Sequence, residues 1–333
     1  MEGATKKILY YSLDEMMTSA KLKALKTISL DQEKAGKLQD WMQKYQIKGV
    51  IQDSQEFPWK FSQTVRSPYI VYGMGNWDLL QSKVLGIVGP RAISHYADQV
   101  MEGLFQKLSS CHVVTVSGLA RGVDQKCHVL SLQYGIPTIA ILGGGLRYYL
   151  KRSEKKLISQ IVEAGGLVLS EFPLDFQPTT WSFPQRNRII AGLSDVVFVP
   201  EAKEGSGSLI TVDFALQMKK EVMVAPNPLF SLNGGGTNQL IADKKVTMLH
   251  DFDQIISCFP LKTDKYLQTN LNESILTEQE KILLTLVQEN TTREFSSWRS
   301  EFFTDFGVLL SELTILEMKG LIGQSSPGIY FVK

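Results

Sequence analysis

Seven short apolar runs, nearly all closing on Gly, Ser or an acidic residue, constrain this chain more than any other feature. They are VLGIVG (84–89), HVVTVSG (112–118), TIAILGG (138–144), GLVLSE (166–171), VVFVPEA (196–202), EVMVAP (221–226) and VTMLHD (246–251). Most are continuously apolar rather than alternating, so both faces of each strand should be buried. Helical stretches separate them, and strands alternating with helices imply an α/β fold with a parallel, doubly wound sheet and right-handed crossovers. The residues that end the runs then share one edge, where helix N-termini gather and ligands bind.

The flanks are different. The segment to about Phe61 is polar and helix-leaning; SLDEMMTSAKLKAL and SLDQEKAGKLQDWMQKY each open with Ser before a periodic charged run, as capped helices do. We assign residues 1–61 to a small helical segment, 62–262 to a Rossmann-like domain and 263–273 to a linker within the polar stretch 258–274. Residues 274–333 read as three helices and a terminal β-hairpin, the order of a winged-helix module. Gly320 suits the C-cap of its third helix, and Ser326-Pro327-Gly328 suits the hairpin turn.

Composition narrows function mainly by exclusion. The 333 residues carry a net charge of +1, so any nucleic-acid binding must come from local clusters of Arg and Lys. Cys111, Cys127 and Cys258 are few and far apart, which fits a reducing compartment, and the N-terminus lacks the apolar centre of a signal peptide. No apolar stretch is long enough to span a bilayer. A cytoplasmic protein without membrane contact is the expectation. No G-x-x-x-x-G-K-[ST] occurs, no G-x-G-x-x-G follows the first strand, and Ser117-Gly118 occupies the place where a dinucleotide fold sets its ribose-binding acid. ATP, NAD and metal cofactors are therefore not expected.

Four loops could carry function. In GIVGPRAIS (86–94), Pro90 can open a helix beside Arg91, giving amide and guanidinium donors for a phosphate; a plain tight turn with a solvated Arg reads equally well. In SGLARGVDQKCH (117–128), two glycines flank Arg121, and Asp124 can cap the next helix. WSFPQRNRIIAGLS (181–194) sets Arg186, Asn187 and Arg188 beside Phe183, charge for a backbone and a ring for a base. Against that, Phe183 could be core and the arginines could pair with Glu171 or Glu201. PEAKEGSGSLITVDFAL (200–216) opens a helix on Gly205-Ser206-Gly207-Ser208, an anion nest. Glu171, Glu201, Asp124 and His128 could form an acid–base site, but residues at strand ends are also ordinary partners for loop amides.

Taken together, SGLARGVDQKCH, GIPTIAILGGGL, LVLSEFP, FPQRNRIIAGLS, PEAKEGSGSLIT and, more weakly, GTNQLI resemble the DprA/Smf family of DNA-processing proteins over residues 56–260. EFPWKFSQTVRSPYIVYGMGNWDLL (56–80) resembles the family's entry into an extended Rossmann-like core. The chain departs from the family at Gly89-Pro90-Arg91, where Gly-Ser-Arg is usual, and at Ala225-Pro226-Asn227, where Val-Pro-Gly is usual. The resemblance implies a non-enzymatic protein that binds and protects single-stranded DNA. It also implies a homodimer formed through the Rossmann-like domain, and loading of RecA onto DNA in natural transformation, with single-strand-binding protein as a further partner. Carried over by motif, the DNA pocket would comprise Gly89, Arg91, Ser117, Gly118, Arg121, Gly122, Phe183, Arg186, Asn187, Arg188, Gly205, Ser206, Gly207 and Ser208. The competing expectation is a nucleotide hydrolase of the phosphoribohydrolase type. Its P-G-G-x-G-T-x-x-E motif, aligned on Gly207, puts Thr211 where the catalytic Glu would stand.

Overall fold

The structure, a computed structural model, describes residues 32–262 and, beyond them, 283, 287, 311, 313–317, 322–326 and 329–332. The chain divides into two compact units, Met1–Leu261 and Lys262–Lys333.

The first unit opens with α1 (Gln32–Lys44) and β1 (Lys48–Ile51), then β2 (Ile70–Gly75). Next come β3 (Val84–Ile87), α2 (His95–Leu108), β4 (Val114–Ser117), α3 (Val123–Gln133) and β5 (Thr138–Ile141). After α4 (Lys155–Glu163) follow β6 (Leu167–Ser170), α5 (Ser182–Leu193), β7 (Val196–Val199) and α6 (Gly207–Gln217). β8 (Glu221–Val224), α7 (Gly235–Ala242) and β9 (Thr247–Met248) complete the sheet, whose order is β1-β2-β6-β5-β4-β3-β7-β8-β9. From β6 to β9 every pairing is parallel; β2 runs antiparallel to both β6 and β1.

Strands β3 to β7 are buried along their whole length. Successive side chains point to opposite faces, and both faces are covered, which is why the runs lack polar alternation. Val84, Val116, Ile139, Leu169, Val197 and Val224 meet Ile189, Ile190 and Leu193 of α5 and Val212 of α6. Leu85, Ile87 and Phe198 face Met101, Leu104 and Phe105 of α2 and Val123 and Leu130 of α3. Ala140 and Val168 continue that second layer against Ile158 and Ile161 of α4.

Several details differ from the sequence-based expectation. Residues 48–51, placed there in a helical segment, form an edge strand, because Val50 is buried against the sheet. The VTMLHD run yields only the two-residue β9. Helix α2 begins at His95 rather than Pro90, because Ser94 supplies the cap: its Oγ accepts the Ala97 N–H at 3.1 Å. Pro260 stays attached to the first unit, its carbonyl accepting from His112 N at 2.7 Å.

In the second unit, β10 (Ile322–Ser326) and β11 (Ile329–Val332) form an antiparallel hairpin. The linker 263–273, most of the expected winged helix, Gly320 and the turn at Pro327-Gly328 lie outside the described residues, as does the first N-terminal helix. Among the described residues, no helix is long and apolar enough to cross a membrane.

Candidate functional site

Strand order reverses between β3 and β7: β4, β5 and β6 extend to one side of β3, and β7, β8 and β9 to the other. The loops at the carboxyl ends of β3 and β7 therefore diverge and leave a crevice, the place where open α/β sheets bind ligands. A cleft of about 510 Å³ occupies it. Its walls come from Val88 to Arg91 after β3, Ala120 and Asp124 after β4, Lys203 and Ser206 to Ser208 after β7, and Thr180, Phe183, Arg186 and Asn187 around the start of α5. Arg91, Arg186 and Lys203 supply positive charge against the one carboxylate of Asp124.

Each wall has a local cause. Gly122 takes φ +85°, and a Cβ there would stand 2.3 Å from the Pro90 carbonyl oxygen; only glycine lets the β3 and β4 loops close on each other. Val123 N then donates to Pro90 O at 3.2 Å. Ser206 holds the N-cap position of α6, but its hydroxyl meets Ser208 Oγ at 2.8 Å instead of capping, so the first two N–H groups of α6 lack intrahelical acceptors, the arrangement that suits an anion. Asn187 Nδ2 donates to Gly207 O at 3.2 Å and ties α5 to that helix start. Arg91 is exposed and lies with its guanidinium 5.2 Å from the centre of the half-buried Phe183 ring, a cation–π pair at the mouth.

Beneath the mouth lies a buried charge pair. Arg186 is 2% exposed, donates through Nη1 to Ile141 O at the end of β5, and holds Nη2 at 3.8 Å from Asp124 Oδ2. Its Nε–H has no partner. Asp124 is the second residue of α3, not its cap, and its carboxylate is turned toward Arg186 and the amides of Gly118 and Ala120. Burial raises the Asp124 pKa, and Arg186 acts to lower it. A Cβ on Gly118 would fall 1.8 Å from Arg186 Nη1, so that glycine is the space the guanidinium fills. One turn along α3, His128 sets Nδ1 2.8 Å from Thr138 Oγ1, and burial followed by the Arg186 charge pushes its pKa down to about 3. A pKa that low leaves His128 without an imidazolium proton to donate as a general acid near neutral pH.

Of the fourteen pocket residues assigned by motif, Gly89, Arg91, Phe183, Arg186, Asn187, Ser206, Gly207 and Ser208 line the cleft. Gly118 and Gly122 shape it from behind, and Ser117 is buried, its Oγ donating to Ile87 O at 2.6 Å across β3 and β4. Gly205 turns the chain into α6 at φ +68°, and Arg121 is exposed outside the lining. Arg188 lies away from the cleft: it grips Glu171, whose side chain is 8% exposed, with two N–H groups, Nη1 at 3.0 Å, as the pairing alternative foresaw. Glu201, fully buried, accepts from Ser94 N at 2.8 Å and Ser94 Oγ at 2.6 Å. Lys203 and Thr180 also line the cleft without having been singled out; Thr211, noted only in the hydrolase comparison, lines it too, and its Oγ1 is buried with no partner.

The profile of DNA recombination-mediator protein A matches residues 48–260, from the first residue of β1 to just past the last helical turn of this unit. The chain belongs to the DNA recombination-mediator protein A family. It is 37% identical over 201 residues to protein Smf of Escherichia coli, a match covering 60% of this chain and 54% of that one, so it spans about half the length of that relative. DNA processing protein A from Streptococcus pneumoniae superposes with a TM-score of 0.61 at 33% identity, over 69% of this chain and 79% of that one. DNA processing protein A from Helicobacter pylori, solved for its single-stranded DNA binding mode, superposes with a TM-score of 0.57 at 30% identity, over 64% and 95% of the two chains. The cleft in this family member lies wholly inside the matched region.

Proposed function

We propose that this chain binds single-stranded DNA in the cleft at the β3/β7 crossover and passes it to a RecA-type recombinase during DNA uptake, without cleaving it. The carrying observation is the pairing of exposed Arg91 with Phe183 in the cleft that buried Arg186 also lines: charge for a phosphate, a ring for a base, and a buried guanidinium with one unpartnered N–H in the same lining. Membership of the family and the likeness to the Helicobacter pylori protein support the same reading. Homodimerisation, contact with single-strand-binding protein and cytoplasmic residence belong to this proposal too.

Fluorescence anisotropy with labelled oligo-dT tests it. Affinity should fall as salt rises, because bound phosphates release counterions, and Arg91→Ala should flatten the log–log slope by about 0.7. An unchanged slope and unchanged affinity in Arg91→Ala would move the site elsewhere. Arg121→Ala, outside the lining, serves as the companion variant and should have the smaller effect.

The hydrolase reading finds less support. Thr211 stands in the lining where that motif needs a carboxylate, Glu201 is held by Ser94, and Asp124 is buried beside Arg186. Nucleoside monophosphates incubated with the pure protein should remain intact by chromatography; release of free base would reverse the assignment.

A further inference from the structure

Trp181 stands at the lip of the cleft and is 48% exposed. It is anchored rather than free. Phe172, itself 1% exposed, meets the indole edge-on at 5.8 Å, and Phe176 meets it at 5.7 Å. Phe172 and Phe176 are stacked on one another at 4.8 Å. Three rings thus form a block rooted behind the carboxyl end of β6, with the outermost ring half in water. Packing on one side fixes the indole and leaves the remainder of its surface open.

Its place in the chain ties this block to the cleft. Thr180, the preceding residue, and Phe183, two residues on, both line the cleft, and Phe183 carries Arg91 over its ring. An exposed, immobilised aromatic surface continuous with a cationic cleft is what a strand of unpaired bases recognises: ring against base, cation against backbone.

We propose that Trp181 is a second base-stacking station, so that a strand leaving the cleft lays its next unpaired base on the open part of the indole. This rests on the reading of the cleft as a single-strand site and extends its footprint beyond the cleft walls.

A ladder of oligo-dT lengths titrated against the full chain tests it, with Trp181→Leu, which keeps apolar bulk without a π face, and Trp181→Phe, which keeps a ring. Wild-type affinity should step up by about tenfold at the length that reaches the indole. Trp181→Leu should lose that step while binding the shortest oligonucleotides as wild type does, and Trp181→Phe should keep most of it. One abasic position walked along a long oligonucleotide should weaken wild type at the Trp181 station and leave Trp181→Leu unaffected there. The proposal is overturned if Trp181→Leu follows wild type along the whole ladder, or if it weakens short and long strands alike, which would mark a residue that only shapes the cleft. Failure of wild type to bind any oligo-dT would defeat the cleft reading, and this proposal with it. Binding that depends on Arg91 but ignores Trp181 would defeat this proposal alone.

Discussion

Arg186→Ala should lose stability as pH rises, and lose single-strand affinity at every pH where it remains folded. Wild-type Asp124 is buried with a pKa held above the ordinary carboxylate value of 3.8 by burial, and Arg186 is the largest influence pulling it back down. Remove the guanidinium and the charged form of Asp124 loses its main partner, so its folded pKa rises further. A group whose pKa is higher folded than unfolded binds more protons in the native state, so its contribution is fully present below about pH 4 and disappears as pH climbs through the folded value. At neutral pH, breaking a buried pair should destabilise by about 3–5 kcal/mol. Urea unfolding of Arg186→Ala between pH 4 and 8, the window set by that rise, should therefore show a falling midpoint. Arg186→Ala/Asp124→Asn should recover most of the loss, since an amide stays neutral. A midpoint for Arg186→Ala that is flat with pH would mean Asp124 does not face that guanidinium.

The same residue pair shows what the sequence makes legible. The parallel half of the sheet could be read directly, because strands covered on both faces are apolar at every position, and the ligand edge follows from strand ends that finish in Gly and Ser. Strands β1 and β2 could not. KGVI opens on an exposed Lys and buries only Val50, so it shows no continuous apolar run, and IVYGMG is interrupted by Gly73, where a Cβ would stand 2.5 Å from both Leu169 and Trp77. That glycine answers a packing demand from residues distant in the chain, which no local pattern displays. Arg91, Phe183 and the Gly205 to Ser208 loop were recognisable from charge, ring and turn chemistry. The joint assignment of Arg186 and Arg188 to one pocket fails on geometry already present in the sequence: residues two apart on a helix point about 200° away from each other. Arg186 and Arg188 therefore leave α5 on opposite sides, one toward Asp124 and the cleft, the other toward Glu171. Lys203 lies within the PEAKEGSGSLIT motif, yet nothing local in the sequence says which way it points.

Arg188→Ala should be among the most damaging single substitutions in the first unit, and its effect should be on stability rather than on DNA contact. Both members of the pair are almost fully buried, with side-chain exposures of 2% and 8%, and two N–H···O bonds join them. Burial pushes the Glu171 pKa up, and the Arg188 charge opposes it, so deleting Arg188 leaves a largely buried carboxylate without its hydrogen-bonded partner. Stranding a buried charge destabilises by about 3–5 kcal/mol, whereas replacing both partners with apolar residues of similar volume is close to neutral. The single variant should therefore show a large drop in urea midpoint, and Arg188→Met/Glu171→Met should unfold near wild type. That double variant also separates the two roles proposed for Arg188. If its only task is to brace α5 against the end of β6, the refolded double variant binds oligo-dT like wild type, with an unaltered salt dependence. A stable double variant with weakened, salt-flattened binding would instead return Arg188 to the DNA surface and require α5 to rotate when a strand enters.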